Sequence, residues 1–225
     1  MLTFSIILAE TSRSLIYLQT LIDASLYPEQ VYYLRNNTSL PKMGQYGYGS
    51  VAENSDECVR SYLNIKQINY KQYDHDQLLG DEFQAALSAC ASNVIIFSGY
   101  GGIILPKQFF QCKKVFLHAH GGILPEYKGS TTNYYSLLSE NVIGASTIIM
   151  TEDLDTGPIL NVVSVKNPTK RDELDHSLDA QLRAESLVKT ISDGKISGEN
   201  QPLNENSHYF VIHPVLKHIS ILQVS

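Results

Sequence analysis

The chain has 225 residues, 43% hydrophobic and 18% charged, enough for one well-buried α/β domain with at most a small appendage. Its formal charge of −6 and its lack of any Lys/Arg run speak against a nucleic-acid binder, because neutralising phosphates needs clustered cations. Three scattered cysteines, Cys58, Cys90 and Cys112, form no C-x-x-C, so no disulfide framework or zinc ribbon is expected and a reducing, cytoplasmic compartment fits. The apolar run over residues 2–9 has no basic region before it and is too short to span a bilayer, so neither a leader nor a membrane association is expected.

Residues 3–9 have the length and apolarity of a buried parallel strand, and Glu10-Thr11-Ser12 after them supply a turn and a helix N-cap. Over 13–25, Leu15, Ile16, Leu18, Leu21 and Ile22 fall on one side of a helix. A strand is predicted at 31–34, a loop rich in Asn, Gly and Tyr at 36–50, a helix at 53–63 and a strand at 66–70. A helix at 76–91, a strand at 94–97, a short helix or turn at 106–112 and a strand at 114–118 complete the first half. The second half reads as a helix at 130–139 capped by Ser130 or Thr131, a strand at 144–151, a loop at 152–158 and a strand at 159–166. An amphipathic helix at 172–192 then places Leu174, Leu178, Leu182, Leu187, Val188 and Ile191 near one face. The apolar end, 208–224, reads as β-rich around 209–212, packing on the domain or forming a subunit contact in a homodimer. Alternation of β and α with short connections implies an α/β, Rossmann-like, mostly parallel sheet with helices on both faces. No linker divides it, so a single domain over 1–225 is expected, with a C-terminal extension from about residue 194. Ligands of such sheets bind beyond the carboxyl ends of strands, which directs attention to the Gly-rich loops at 98–102 and 121–129.

The chemistry-bearing stretch is Phe116-Leu117-His118-Ala119-His120-Gly121-Gly122-Ile123-Leu124-Pro125-Glu126-Tyr127-Lys128-Gly129. His118 and His120 are two apart at a strand end and so point to one face. Asp153-Leu154-Asp155-Thr156-Gly157-Pro158 lies in a loop between two apolar strands, where an Asp can reach a His at a neighbouring strand end. A carboxylate beside an imidazole sets its tautomer and favours its charged form.

With these motifs the chain resembles the folate-dependent formyltransferases, which share a strand ending in N-x-H, a P-S-x-L-P-x-Y-x-G-like stretch and, tens of residues later, D-x-G. Here the stretches are H-A-H-G-G-I-L-P-E-Y-K-G-S at 118–130, L-D-T-G-P-I-L at 154–160 and, upstream, F-S-G-Y-G-G-I-I-L-P at 97–106. The resemblance is firmest over about 94–160 and implies 10-formyltetrahydrofolate as co-substrate, with no metal. It places His120 on the family's catalytic His and Asp155 on the Asp that orients it. His118 stands where the family has Asn and is expected to serve as the hydrogen-bond donor to the developing oxyanion. Gly121-Gly122 replace the usual Pro-Ser, and a cis Leu124–Pro125 bond is implied. Folate is expected between the loops 98–105 and 150–158, on Tyr100, Gly101, Gly102, Ile103 and Ile104 and on Asp153 and Leu154. Tyr127, Lys128 and Thr131 are then the expected contacts to the amine-bearing substrate.

That substrate is expected to be a nucleotide-linked amino deoxysugar, as in the sugar N-formyltransferase branch, because S-T-T-N-Y-Y at 130–135 and I-H-P-V-L-K-H at 212–218 look closest to it. A pseudaminic-acid-type route of surface polysaccharide biosynthesis is the narrower expectation. Members acting on initiator methionyl-tRNA usually add a C-terminal β-barrel, for which the residues after Asn161 look too few. A phosphoribosylglycinamide-type or other small-amine formyltransferase is the alternative. From a different class, His118, His120 and Asp155 would also suit a metal-dependent hydrolase, and a non-catalytic folate or nucleotide binder is the third reading.

Overall fold

A computed structural model describes residues 2–35, 59–103, 105–202 and 209–222, and the chain forms two compact units, Met1–Leu117 and His118–Ser225. The loop predicted at 36–50, the start of the helix predicted from 53, and Ile104 lie outside the described residues.

In the first unit, β1 (Phe4–Ala9) is buried along its whole length, as a strand covered on both faces must be. Thr11 accepts from the Ser14 N–H at 3.1 Å and caps α1 (Ser12–Asp23), which buries Leu15, Tyr17, Leu18 and Leu21. Then follow β2 (Val31–Arg35), α2 (Val59–Ile65), β3 (Tyr70–Asp74), α3 (Asp81–Ser88), β4 (Val94–Ser98) and β5 (Val115–His120). The strand order is β3-β2-β1-β4-β5, and every neighbouring pair is parallel. Two boundaries differ from expectation. The third strand starts four residues late, because α2 runs on to Ile65 and Gln67 turns the chain at φ 54°. The helix expected at 76–91 is interrupted at Gly80, extended at ψ 154°, which separates a 3-10 turn at His75–Leu79 from α3. Edge-on contacts of Phe83 with Tyr32 (5.6 Å) and Tyr73 (4.9 Å) close the core beside these elements.

β5 continues through His118–His120 into the second unit, whose strand order is β5-β7-β8. Here lie β6 (Gly129–Ser130), α4 (Asn133–Glu140), β7 (Val142–Ile149), β8 (Ile159–Lys166), α5 (Asp179–Asp193), β9 (Phe210–Val211) and α6 (Pro214–Leu222). β7 and β8 form an antiparallel pair, the exception in a mostly parallel sheet with helices around it. The expected α/β class therefore holds. The Leu124–Pro125 bond is cis, as the motif implied. Tyr134 and Leu137 of α4 pack with Ile143 and Ala145 of β7, Leu182 of α5, and Leu174 and Ile212. The helix expected at 172–192 begins as a 3-10 turn at Arg171–Glu173 and a π turn at Leu174–Leu178 before α5 proper. The β structure expected around 209–212 is present as β9, and the residues after it form α6, which was not expected. Of its described residues only Phe210–Val211 form a strand, paired with Gly129–Ser130, after which His213 Nδ1 accepts from the Val215 N–H at 3.2 Å and Pro214 opens α6. Among the described residues no helix is long and apolar enough to cross a membrane.

Candidate active site

The last residue of β5, His120, is 3% exposed. Strand alternation gives His118 the same face, half-buried, while Ala119 between them is packed away and its carbonyl accepts from Arg183 Nη1 at 2.9 Å. Past the strand, the chain is stapled from several sides. Thr132 Oγ1 donates to Gly121 O at 2.9 Å, and Ser146 Oγ donates to Gly122 O at 2.8 Å and accepts from Leu124 N at 3.0 Å. These bonds fold the loop so that the Tyr127 carbonyl comes 2.8 Å from His120 Nε2. Gly122 is what permits the approach: a Cβ there would fall on Thr132 Oγ1 and lie 2.8 Å from both His120 Nε2 and Tyr127 O.

Asp155 comes from the loop between β7 and β8. Its backbone is left-handed at φ 55°, a region that Asp enters more readily than most residues. Thr151 and Thr156 donate to Asp153 O at 3.1 and 3.0 Å, which tightens the loop's tip and leaves Asp153 and Leu154 exposed. Asp155 Oδ1 lies 3.3 Å from His120 Nδ1, an ion-pair distance slightly longer than a good N–H···O bond. Burial works to raise the Asp155 carboxyl, but the hydrogen bond and charge of His120, with His118 and Arg183 adding to them, hold it below the ordinary carboxylate value. Asp155 is therefore an anion at neutral pH. A carbonyl can only accept, so His120 Nε2 carries a proton, and Nδ1 faces a carboxylate. Both ring nitrogens thus face acceptors, the Tyr127 carbonyl at Nε2 and the Asp155 carboxylate at Nδ1.

The other expected site residues have different settings. The Tyr127 hydroxyl is engaged by Ser139 and Glu140, each at 2.6 Å, so this residue meets His120 through its backbone. Lys128 is buried and has no ion-pair partner among the described residues, while its carbonyl accepts from Phe210 N at 2.8 Å. Thr131 is half-buried and sits at φ 59°, unusual for a β-branched residue. In the first unit, the Tyr100 hydroxyl accepts from Glu10 N at 3.2 Å and donates to Leu34 O at 3.1 Å, and burial pushes it up to about 12. Gly101 and Gly102 are exposed, with open space where a Cβ would be, and Ile103 is half-buried. Among the described residues no three His, Cys, Asp or Glu side chains are grouped to hold a metal ion, so His118, His120 and Asp155 do not converge as a ligand set.

Sequence reasoning missed the support behind the pair. Arg183 is locked to Asp179 at 2.6 Å, Asp179 accepts from Asn133 at 3.1 Å, and Asn133 Oδ1 accepts from Gly144 N at 2.8 Å. An acid followed four residues later by Arg on a helix was the available signal. Gln201, whose amide holds the Asp155 loop, and Tyr209, whose hydroxyl is raised by burial and by the charge of Asp155, carried none.

Several known proteins are similar to this chain. A methionyl-tRNA formyltransferase of Synechococcus sp. (strain JA-3-3Ab) is 31% identical over 140 residues, 60% of this chain and 42% of that protein. Its counterpart in a Nitratiruptor species is 30% identical over 112 residues, 48% of this chain and 36% of that protein. The chain thus spans less than half the length of these curated relatives. Among solved structures, an N-formyltransferase from Helicobacter canadensis in complex with folinic acid and dTDP-3-aminofucose superposes with a TM-score of 0.61 at 17% identity, covering 93% of this chain and 71% of its own. A phosphoribosylglycinamide formyltransferase from Anaplasma phagocytophilum gives 0.59 at 19%, covering 91% and 96%. Those two likenesses establish the fold, and the match of the "Formyl transferase" family profile to residues 51–187, more than half of the chain, makes this protein a member of that family.

Proposed function

We propose that the protein is an N-formyltransferase that moves a formyl group from 10-formyltetrahydrofolate to the amine of a nucleotide-linked amino deoxysugar. The observation that carries this reading is the buried His120–Asp155 pair at the end of β5, in a chain of the formyl transferase family. In the reaction the amine attacks the formyl carbon, the formyl oxygen becomes an oxyanion, and collapse expels the folate nitrogen. On balance one proton leaves the amine and one reaches the folate nitrogen. His120 is the proton carrier, and Asp155 holds it in place. The Tyr127 carbonyl is the partner that yields when Nε2 turns to the reacting atoms, because a neutral carbonyl holds a ring N–H less strongly than the Asp155 carboxylate does. His118 supplies a further donor to the oxyanion.

For folate, Gly101 and Gly102 offer uncovered backbone to a flat pterin, and Asp153 and Leu154 offer an exposed loop tip. For the sugar nucleotide, Lys128 is a buried ammonium without a counter-ion among the described residues, which a diphosphate would neutralise. The Helicobacter canadensis enzyme, bound to folinic acid and dTDP-3-aminofucose, supports both substrates. A second reading, methionyl-tRNA as the amine, is favoured by the relatives at 30–31% identity. The test is one panel with 10-formyltetrahydrofolate: nucleotide-linked 3- and 4-amino-6-deoxysugars, phosphoribosylglycinamide and methionyl-tRNA, each read by mass for one added formyl group. Formylation of an amino sugar alone supports the first reading. Formylation of the tRNA alone replaces it with the second, and formylation of none of the four removes both.

A further inference from the structure

We infer that Gln201 is a positioning residue for Asp155, holding the loop that delivers the carboxylate to His120. Its Nε2 donates to two carbonyls of that loop, Asp155 O at 2.9 Å and Gly157 O at 2.7 Å, so one amide ties the residue bearing the carboxylate to the turn that follows it. Gln201 is 8% exposed, far below what a solvated side chain in a polar tail shows. The register explains how it arrives there. Ile159, the first residue of β8, exchanges two backbone bonds with Glu199, N to O at 2.8 and 2.9 Å, in an antiparallel bridge. Two residues back from Ile159 is Gly157 and two residues on from Glu199 is Gln201, so antiparallel pairing sets Gln201 opposite the D-T-G turn.

Two further features indicate that the amide is kept for its donors. Among the described residues Gln201 Oε1 is buried with no hydrogen-bond partner, a cost that a residue serving only as filler would avoid by being apolar. The loop also needs an external tie. Asp155 is left-handed at φ 55°, and Gly157 lies so close to β7 that a Cβ would fall on the Ile149 carbonyl. A tight turn containing a left-handed Asp keeps one geometry when its surroundings fix it. Carbonyls beside a carboxylate also place their negative ends close together, and the Gln201 N–H groups offset this. The depressed titration of Asp155, set by His120 against burial, is what this placement preserves.

As a statement about catalysis the inference rests on the formyl-transfer reading, so its test has one arm that needs no substrate. In that arm the Asp155 side-chain carboxyl is titrated by carbon NMR in the wild type, Gln201→Met and Gln201→Glu. Gln201→Met keeps the length and loses both donors, and the Asp155 titration is expected to move up toward the ordinary carboxylate value. Gln201→Glu retains the shape for a case where the Met variant does not fold, and the same upward shift is expected while the introduced carboxylate is ionised. In the second arm, with any amine the wild type formylates, kcat is expected to fall about tenfold or more with KM within about twofold, the signature of a displaced reacting group. An unchanged Asp155 titration in a folded variant overturns the inference, and so does a loss confined to KM. A wild type that formylates no amine overturns the functional reading and leaves the NMR arm standing.

Discussion

Replacing Asp155 by Asn separates the charge of the His120 partner from its shape. In the wild type both ring nitrogens face acceptors, Nδ1 the Asp155 carboxylate at 3.3 Å and Nε2 the Tyr127 carbonyl at 2.8 Å. An Asn amide can donate, so a neutral His120 protonated on Nε2 keeps both contacts: Nε2–H to Tyr127 O, and Nδ1 accepting from the new amide. The fold therefore loses little, and melting temperature is expected to stay close to wild type. The carboxylate partner of the proton carrier is lost, and kcat is expected to fall by about 10²–10⁴, the range for a positioned acid or base. Asp155→Ala differs, because it leaves Nδ1 of a 3%-exposed ring without a partner. That variant should lose on the order of 3 kcal/mol, the lower end for breaking a buried pair. For a chain of this size each kcal/mol is about 2–4 °C in Tm, so the drop is roughly 6–12 °C. The pH dependence has a definite sign. Asp155 titrates below its ordinary value near 3.8 when folded, so its stabilising contribution is full above that value and is lost as pH falls through the lower folded value. An acid limb of wild-type turnover found at higher pH would then report another group. Assays are formyl transfer by mass, thermal melts and the pH profile of both variants. Turnover of Asp155→Asn within about threefold of wild type would refute the reasoning.

Three other substitutions test neighbouring steps. His118→Asn is expected to retain substantial kcat, because an amide N–H donates to the oxyanion whatever the pH, and its rate profile should flatten on the acid side; a folded, folate-binding but inactive variant contradicts that role. Gly122→Ala places a methyl on Thr132 Oγ1 and against His120 Nε2, so a loss of about 1–3 kcal/mol is expected, the usual cost of overpacking, measured by denaturant unfolding. Tyr100→Phe removes a hydroxyl that bonds Glu10 N and Leu34 O while keeping the ring, so stability should fall by about 1–3 kcal/mol, measured by denaturant unfolding.

What can be read from the sequence follows the range of the interaction responsible. β1, β4 and β8 are legible to within a residue or two because a short run such as Phe4-Ser5-Ile6-Ile7-Leu8-Ala9 carries its own burial signal. The interruption at Gly80 is locally visible, but the helical spacing on either side masks it. α6 is ambiguous because Val215, Leu216, Ile219 and Leu222 are apolar in either state, and their spacing distinguishes helix from strand only when Pro214 is taken as a first helical residue. β9 is legible in the apolar run around 209–212, whereas its partner β6, two residues of a Gly-rich loop some eighty positions away, leaves no local trace.

The site divides along the same line. His120 and Asp155 stand out because each belongs to a short motif, one at a strand end and one in the loop between two strands, and the structure brings them into contact. Nothing local announces that Tyr127 serves through its carbonyl while its hydroxyl goes to Ser139 and Glu140. Nor does anything near Gln201 point 46 positions back to Asp155. These supports are backbone carbonyls and amides, and the fold alone decides which of them meet. Yet they determine what the legible residues can do. A His beside an Asp can by itself present either ring nitrogen to the carboxylate, and the Tyr127 carbonyl, an acceptor, requires a proton on Nε2 and so leaves Nδ1 to face Asp155. Gly122 is the residue that lets that carbonyl approach. Of the two glycines standing in place of the family's Pro-Ser, the second therefore bears on the hydrogen bonding of His120, as well as on the path of the chain around it.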